Sequence, residues 1–171
     1  NDLIRDTTPA NNAEMFDSFV FQAAHQYLVA KHPRVFFVDF LETDHWAHSG
    51  RYDLVLQAAH QVDDYVRRLW ETVQSVDQYR GKTTFILTTD HGRGFAPENW
   101  KHHGAKIEGA QNIWMAFLGP DTQPLGERTN CPTVTQSQIA ATLAAFLGED
   151  YCKSVPQAGQ PIVAFFTPVA R

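Results

Sequence analysis

Cysteine and methionine are scarce in this chain, with two of each among 171 residues. Cys131 and Cys152 leave open one disulfide or two inert thiols, so cysteine usage fixes no redox compartment. Basic surplus is also missing. Lys and Arg number 14 against 19 Asp and Glu, for a net charge of −5. That argues against nucleic acid as a main partner, because phosphate neutralisation needs an excess of cations. Apolar runs stop well short of the roughly 18 residues that cross a bilayer, and Asn1-Asp2-Leu3 has neither the basic nor the apolar region of a targeting signal. A soluble chain of unassigned localisation is expected, with no membrane span. The first residue is not Met, which is compatible with processing or with a fragment. Internal repeats and low-complexity tracts are absent as well.

What is present is enough apolar sequence, 43% of residues, to bury one ordinary core, so a single domain over residues 1–171 is expected. Residues 11–31 read as a first helix, with Asn11 and Glu14 in capping-box spacing and Phe16, Phe19, Val20, Ala23, Tyr27 and Leu28 on one face. His32-Pro33 ends it, since the residue before proline avoids the helical region. Val35 to Leu41 is β-branched, aromatic and almost continuously apolar, which suits a strand covered on both faces. Glu42 to Gly50 follows as a polar loop. From Asp53 to Val76 apolar residues recur at helical spacing, and Asp63, Asp64, Arg67, Arg68 and Glu71 fall mostly on the solvated side.

Thr84 to Thr88 is a second strand, so strand, long helix and strand form a βαβ unit with parallel neighbours. Ile113 to Leu118 makes a third strand. Thr135 to Leu147 is a helix opened by Thr135 with Gln138 and closed by Gly148. Pro161 to Phe166 reads as a short last strand at an edge. The fold class that emerges is α/β, a predominantly parallel sheet flanked by helices.

In open α/β sheets ligands gather outside the carboxyl ends of parallel strands, and Asp44 and Asp90 each stand just beyond a predicted strand. Asp44 and His48 share a face if their loop coils into one helical turn. Asp90 and His91 are a second carboxylate–imidazole pair, and His102 or His103 offers a further nitrogen from the next loop. Adjacent side chains of a strand point to opposite faces, so Asp90 and His91 share a target only where the strand has ended; Gly92 and Gly94 allow the backbone to turn. Mixed nitrogen and oxygen donors suit zinc or another borderline divalent metal, manganese among them. His25 and His60 lie near apolar helix faces, His25 reading as a core or boundary residue and His60 as a packing or capping one, and Asp39 reads as structural.

The ordered series Glu42-Thr43-Asp44-x-x-x-His48, a long helix, Thr88-Thr89-Asp90-His91-Gly92, His103-Gly104, Phe117-Leu118-Gly119-Pro120 and Gln138 to Gly148 resembles the C-terminal half of the alkaline phosphatase superfamily. That group comprises phosphatases, type I phosphodiesterases, cofactor-independent phosphoglycerate mutases and sulfatases. The resemblance covers residues 35–148. One departure is Ala47, where many relatives carry glycine.

The resemblance implies two divalent metals, zinc or manganese. Asp44, His48 and His103 would hold one, and Asp90 and His91 the other. It also implies an alkaline-phosphatase-like sheet that is incomplete on its N-terminal side here, with the Thr or Ser nucleophile and a further Asp ligand in an upstream half. The implied activity is hydrolysis of a small phosphate ester, as a phosphomonoesterase or phosphodiesterase. Sulfatase and phosphomutase activities of the same superfamily, or a non-catalytic metal-stabilised binding domain, are the alternatives. His45 and Trp46 flank the expected site as possible substrate contacts. An N-terminal half of the same polypeptide is the one macromolecular partner implied.

Overall fold

The computed structural model describes residues 15–163 and residue 166. Chain contacts divide it into two compact units, one running to Arg80 and including His91–Ile113, the other formed by Gly81–Asp90 and the chain from Trp114 onward.

In the first unit, helix α1 spans Asp17–Lys31. The proposed capping pair at 11 and 14 lies outside the described residues. The buried face is Asp17, Phe21, Ala24 and Leu28, about 100° round from the expected stripe, one residue's turn of the helix. Phe16, Phe19 and Tyr27 are exposed instead. Two contacts turn the helix this way. Phe21 stacks on Tyr65 at 4.3 Å between ring centroids, and the Asp17 carboxylate is used as a hydrogen-bond acceptor. The helix stops at His32 in the left-handed conformation, φ 49° and ψ 52°. Pro33 does exclude the right-handed helical region from the residue before it, as the sequence implies, but the escape is to the left-handed basin rather than to an extended one.

Residues 35–41 run without a ladder among the described residues, where a doubly covered strand was expected. Phe37 is 85% exposed, and Val35, Phe36 and Leu41 are exposed as well. Apolar β-branched composition is a preference for a pleated, packed surface, and it makes a strand only when a neighbour accepts the backbone bonds.

The expected polar loop is a helix, α2, Glu42–His48. Its N-cap, Leu41, has no capping side chain of its own. Asp17 takes that role from a distance: Leu41 N–H donates to Oδ1 at 2.8 Å and Glu42 N–H to both carboxylate oxygens at 3.3 Å. The Asp17 N–H donates in return to Glu42 Oε2 at 3.0 Å. Each helix start thus satisfies the orphan donors of the other. Ala47 is fully buried on α2, so alanine serves here as an ordinary helix-interior residue. Helix α3, Tyr52–Ser75, buries Ala58, Tyr65, Leu69 and Val73, and these are members of the expected stripe. Arg67 pairs with Asp64 and Glu71 on the solvated side, while Arg68 lies over the Phe21 ring at 4.2 Å. His25 Nε2 meets Thr72 Oγ1 at 2.9 Å, a packing role; His60 is exposed, so it packs less than its helix position implied.

In the second unit, β1 (Phe85–Thr88) and β2 (Met115–Leu118) pair antiparallel, Phe85 opposite Leu118 and Thr88 opposite Met115. This two-stranded pair is the sheet of the described residues, and its antiparallel sense differs from the parallel arrangement expected of a βαβ order. The first strand of that order, 35–41, makes no ladder, so β1 pairs with the segment that follows it in the chain. A 3-10 turn, Gln136–Gln138, leads into α4, Ile139–Phe146, and Thr135 with Gln138 forms the expected capping box. Gly148, at φ 80°, takes the left-handed position past its end. Thr142 is buried, donating to Gln138 O at 2.7 Å and accepting from Ile162 N–H at 2.9 Å. Asp150 caps a short α5, Tyr151–Ser154. Of the last expected strand, residues 164 and 165 lie outside the described residues and Phe166 makes an isolated bridge with Thr122. Cys131 and Cys152 are free thiols.

Candidate metal centre

Helix α2 and the loop from His91 to His103, both in the first unit, converge on one carboxylate. Asp44 and His48 are one turn apart on α2, and His48 Nε2 lies 3.3 Å from Asp44 Oδ2. The other oxygen, Oδ1, meets His91 Nε2 at 3.5 Å and His103 Nε2 at 3.7 Å. The rings of His91 and His103 stack 3.7 Å apart at 9°, and the Nε2 atoms of His48 and His103 are 2.9 Å apart. Asp44, His91 and His103 each offer a donor atom within 4.8 Å of the others. Of the two histidines left open by the sequence, His103 is the one in the group.

Gly92 makes the approach possible. Its N–H donates to Ala110 O at 2.8 Å. A Cβ there would lie 2.3 Å from Asn112 O and 2.6 Å from Gly109 O. The loop therefore folds back on itself immediately after His91, turning that imidazole toward α2.

Protonation follows from the hydrogen bonds. His91 Nδ1 lies 3.0 Å from Gly92 O, and a carbonyl only accepts, so Nδ1 carries the proton. Nε2 of the same ring lies 3.5 Å from Asp44 Oδ1. A backbone carbonyl on the nitrogen distal to the ion commonly orients a ligating imidazole in metal sites. Burial, followed by the neighbouring His91, lowers the His103 imidazole below its ordinary value, with Asp44 opposing and His48 and Arg93 adding to the depression. A neutral ring is the form that ligates. The donor set of one carboxylate and three imidazoles fits zinc or a similar divalent ion.

A residue that motif reading passes over completes the cluster. Arg93 donates through Nη2 to Asp44 Oδ1 in a close ion pair and to Asp44 O at 3.2 Å, and through Nη1 to Lys101 O at 3.0 Å. Its one sequence signal is a place two residues beyond His91, between Gly92 and Gly94.

The three-residue group does not include Asp90, His45 or Trp46. Asp90 closes the Gly81–Asp90 segment of the second unit, where its backbone carbonyl accepts from the Gln136 side-chain amide. His45 is exposed and packs edge-on against Trp46. Trp46 lines a small pocket of about 100 Å³ with Glu42, Leu54, Gln57, Ala58 and Gln61. No candidate ligand lines that pocket.

No helix among the described residues is long and apolar enough to cross a membrane. No curated protein and no solved structure matches the chain. A family model, described as the metalloenzyme superfamily, matches residues 7–150, a span that contains every donor of the cluster together with Asp90. The chain belongs to that metalloenzyme superfamily, the alkaline-phosphatase-like group.

Proposed function

We propose that this protein is a metal-dependent hydrolase of phosphate esters, acting as a phosphomonoesterase or phosphodiesterase. The observation that carries the reading is the meeting of Asp44, His91 and His103, whose donor atoms lie within 4.8 Å of one another. The resemblance assigns Asp44, His48 and His103 to one divalent ion and Asp90 with His91 to a second. The grouping of donor atoms supports His91 on the first ion, with Asp44 and His103 and with His48 beside them, zinc being the best match to the imidazole-rich set and manganese the next. Such ions would polarise a phosphoryl oxygen and offset charge that develops during in-line displacement.

The chain's own contribution is orientation. α2 presents Asp44 and His48 from successive turns, and the Gly92 fold-back sets His91 against them. The attacking hydroxyl, a Thr or Ser, would come from an upstream half of the polypeptide. The exposed apolar segment 35–41 supports a larger sheet in the functional protein, with a further strand beside that segment. A sulfate ester is a poorer fit, because oxygen-rich calcium sites are the alternative to this imidazole-rich one.

The test uses the full-length gene product loaded with zinc. Turnover of p-nitrophenyl phosphate or bis-p-nitrophenyl phosphate that disappears in His91→Ala is expected. Faster turnover of p-nitrophenyl sulfate than of either phosphate ester, or failure to bind zinc or manganese at all, would overturn the reading.

A further inference from the structure

Three groups converge on a single oxygen, Asp44 Oδ1: the imidazoles of His91 and His103, and the Arg93 guanidinium. They are not equivalent. The two imidazoles present ring nitrogens that can ligate, whereas guanidinium is always charged and only donates. A divalent ion within ligand distance of Oδ1 and both Nε2 atoms, about 2.0 to 2.2 Å in zinc sites, would occupy the space on Oδ1 that Nη2 now takes. The ion and Nη2 would then compete for the same oxygen, the charge of each weakening the other's hold on it. The contact that gives way is Nη2 on Oδ1: Nη1 stays on the Lys101 carbonyl at 3.0 Å and Nη2 can keep the Asp44 main-chain carbonyl at 3.2 Å, so the guanidinium is released from the carboxylate without leaving the centre.

We propose that Arg93 is an internal counter-ion that occupies Asp44 in the metal-free protein and, once a divalent ion has taken Asp44, turns to bind the tetrahedral oxyanion of the substrate. The ligand class is a phosphate or sulfate group whose non-bridging oxygens match the planar fork of the guanidinium. With its side chain about one-fifth exposed, Arg93 can reach an anion at the mouth of the centre while its Nη1 anchor keeps it from dispersing into solvent. Arg93 is thus an anion-binding residue in the metal-loaded protein and a competitor of metal in the empty one. The inference rests on the metal-dependent reading of the same site.

Competition and support predict opposite signs, which makes the inference decidable. If Arg93 competes, Arg93→Gln frees Asp44 and zinc binds tighter, by about three- to tenfold for a partly exposed charge-assisted pair. If Arg93 only props Asp44 in place, the same variant binds zinc more weakly. The experiment is calorimetric titration of the metal-free full-length protein with zinc alone, followed by titration of the zinc-loaded protein with inorganic phosphate. Tighter zinc in Arg93→Gln together with at least tenfold weaker phosphate is the expected result. Unchanged or weaker zinc binding, or undiminished phosphate binding, overturns the proposal.

Arg93→Lys keeps the charge without the fork and serves if the Gln variant does not fold. It should bind zinc within about twofold of wild type and phosphate several-fold more weakly. Phosphate binding by Arg93→Lys equal to wild type would also overturn the proposal. Absence of zinc binding by the wild-type protein would instead sink the metallohydrolase reading and this inference with it, so the two failures are distinguishable.

Discussion

Asp17 should matter to the metal centre although it is not part of it. Its carboxylate caps α2 by accepting from Leu41 N–H and Glu42 N–H, and the residue is almost wholly buried. Asp17→Ala removes the cap and leaves those two N–H groups facing an apolar side chain. Loss of a cap costs about 1 to 2 kcal/mol, and a buried donor left unpaired about 1 to 3; the two figures overlap, so about 2 to 3 kcal/mol is expected. For a chain of this length that corresponds to a Tm lower by about 4 to 12 °C. Because α2 carries Asp44 and His48, a frayed first turn should also weaken zinc binding about tenfold.

Asp17→Asn keeps an acceptor in the Oδ1 position and should cost no more than about 1 kcal/mol. The pH dependence follows from the direction of the Asp17 shift. Burial raises its carboxyl above the ordinary value of 3.8, against the lowering effect of the Leu41 and Glu42 N–H bonds, with Glu42 and Asp39 adding to the rise. The folded state therefore holds the Asp17 proton where the unfolded chain has released it. Stability from this group is fully present below the unfolded value and is lost as pH rises through the raised folded one. Wild type should accordingly gain on Asp17→Asn as pH falls through that window. Thermal melts of wild type, Asn and Ala variants across the acid range, with zinc titrations at neutral pH, would decide it. An Ala variant that melts within 1 °C of wild type (about a quarter to half a kcal/mol), or a wild type that loses ground to the Asn variant on acidification, would refute the argument.

Gly92→Ala should disrupt the centre from the backbone, because the added Cβ would lie 2.3 Å from Asn112 O; a Tm loss of about 5 °C or more and at least tenfold weaker zinc binding are expected, read by melting and calorimetry. His91→Ala and His103→Ala should each weaken zinc by about a hundredfold or more and His48→Ala by less, since His48 meets Oδ2 rather than the Oδ1 shared by the other two; equal losses for all three would show that the Oδ1 grouping has no special standing. Thr142→Val leaves the Ile162 N–H and one lone pair of Gln138 O without a buried partner, at a cost of about 1 to 2 kcal/mol, seen as faster amide exchange at Ile162. Saturating zinc at a hundredfold over its Kd should raise the stability of wild type by about 2.7 kcal/mol; no shift in Tm would count against a preformed site.

What could be read from the sequence was whatever has a local cause. Helix α3 declared itself because its core stripe repeats over six turns, and the capping box at Thr135 and Gln138 lies within four residues. The Asp44–His48 pair was visible as a conditional, and the helix that satisfies the condition formed. The failures lie where a distant partner decides. Segment 35–41 has the composition of a strand, but a ladder needs a second chain segment at its side, which composition does not supply. The face of α1 was misplaced by one residue because Phe16 and Phe19 are as apolar as Phe21, and only Tyr65, 44 positions away, distinguishes them.

Asp17 and Arg93 are the same failure in electrostatic form. Each is a lone charged residue between apolar or small neighbours, with nothing in its own window to mark a role. Asp17 becomes a cap through residues 24 and 25 positions away, and Arg93 becomes a counter-ion through a carboxylate 49 positions away. The physical criterion that would have raised both is satisfaction rather than pattern. A seven-residue helix without a capping side chain needs an acceptor brought to its start, and a carboxylate set among imidazoles needs a cation while no metal is bound. Sequence motifs name the ligands because ligands must have particular atoms. The groups that hold those ligands ready are constrained only by where the fold delivers them, so they become readable once the deficit each one answers is known.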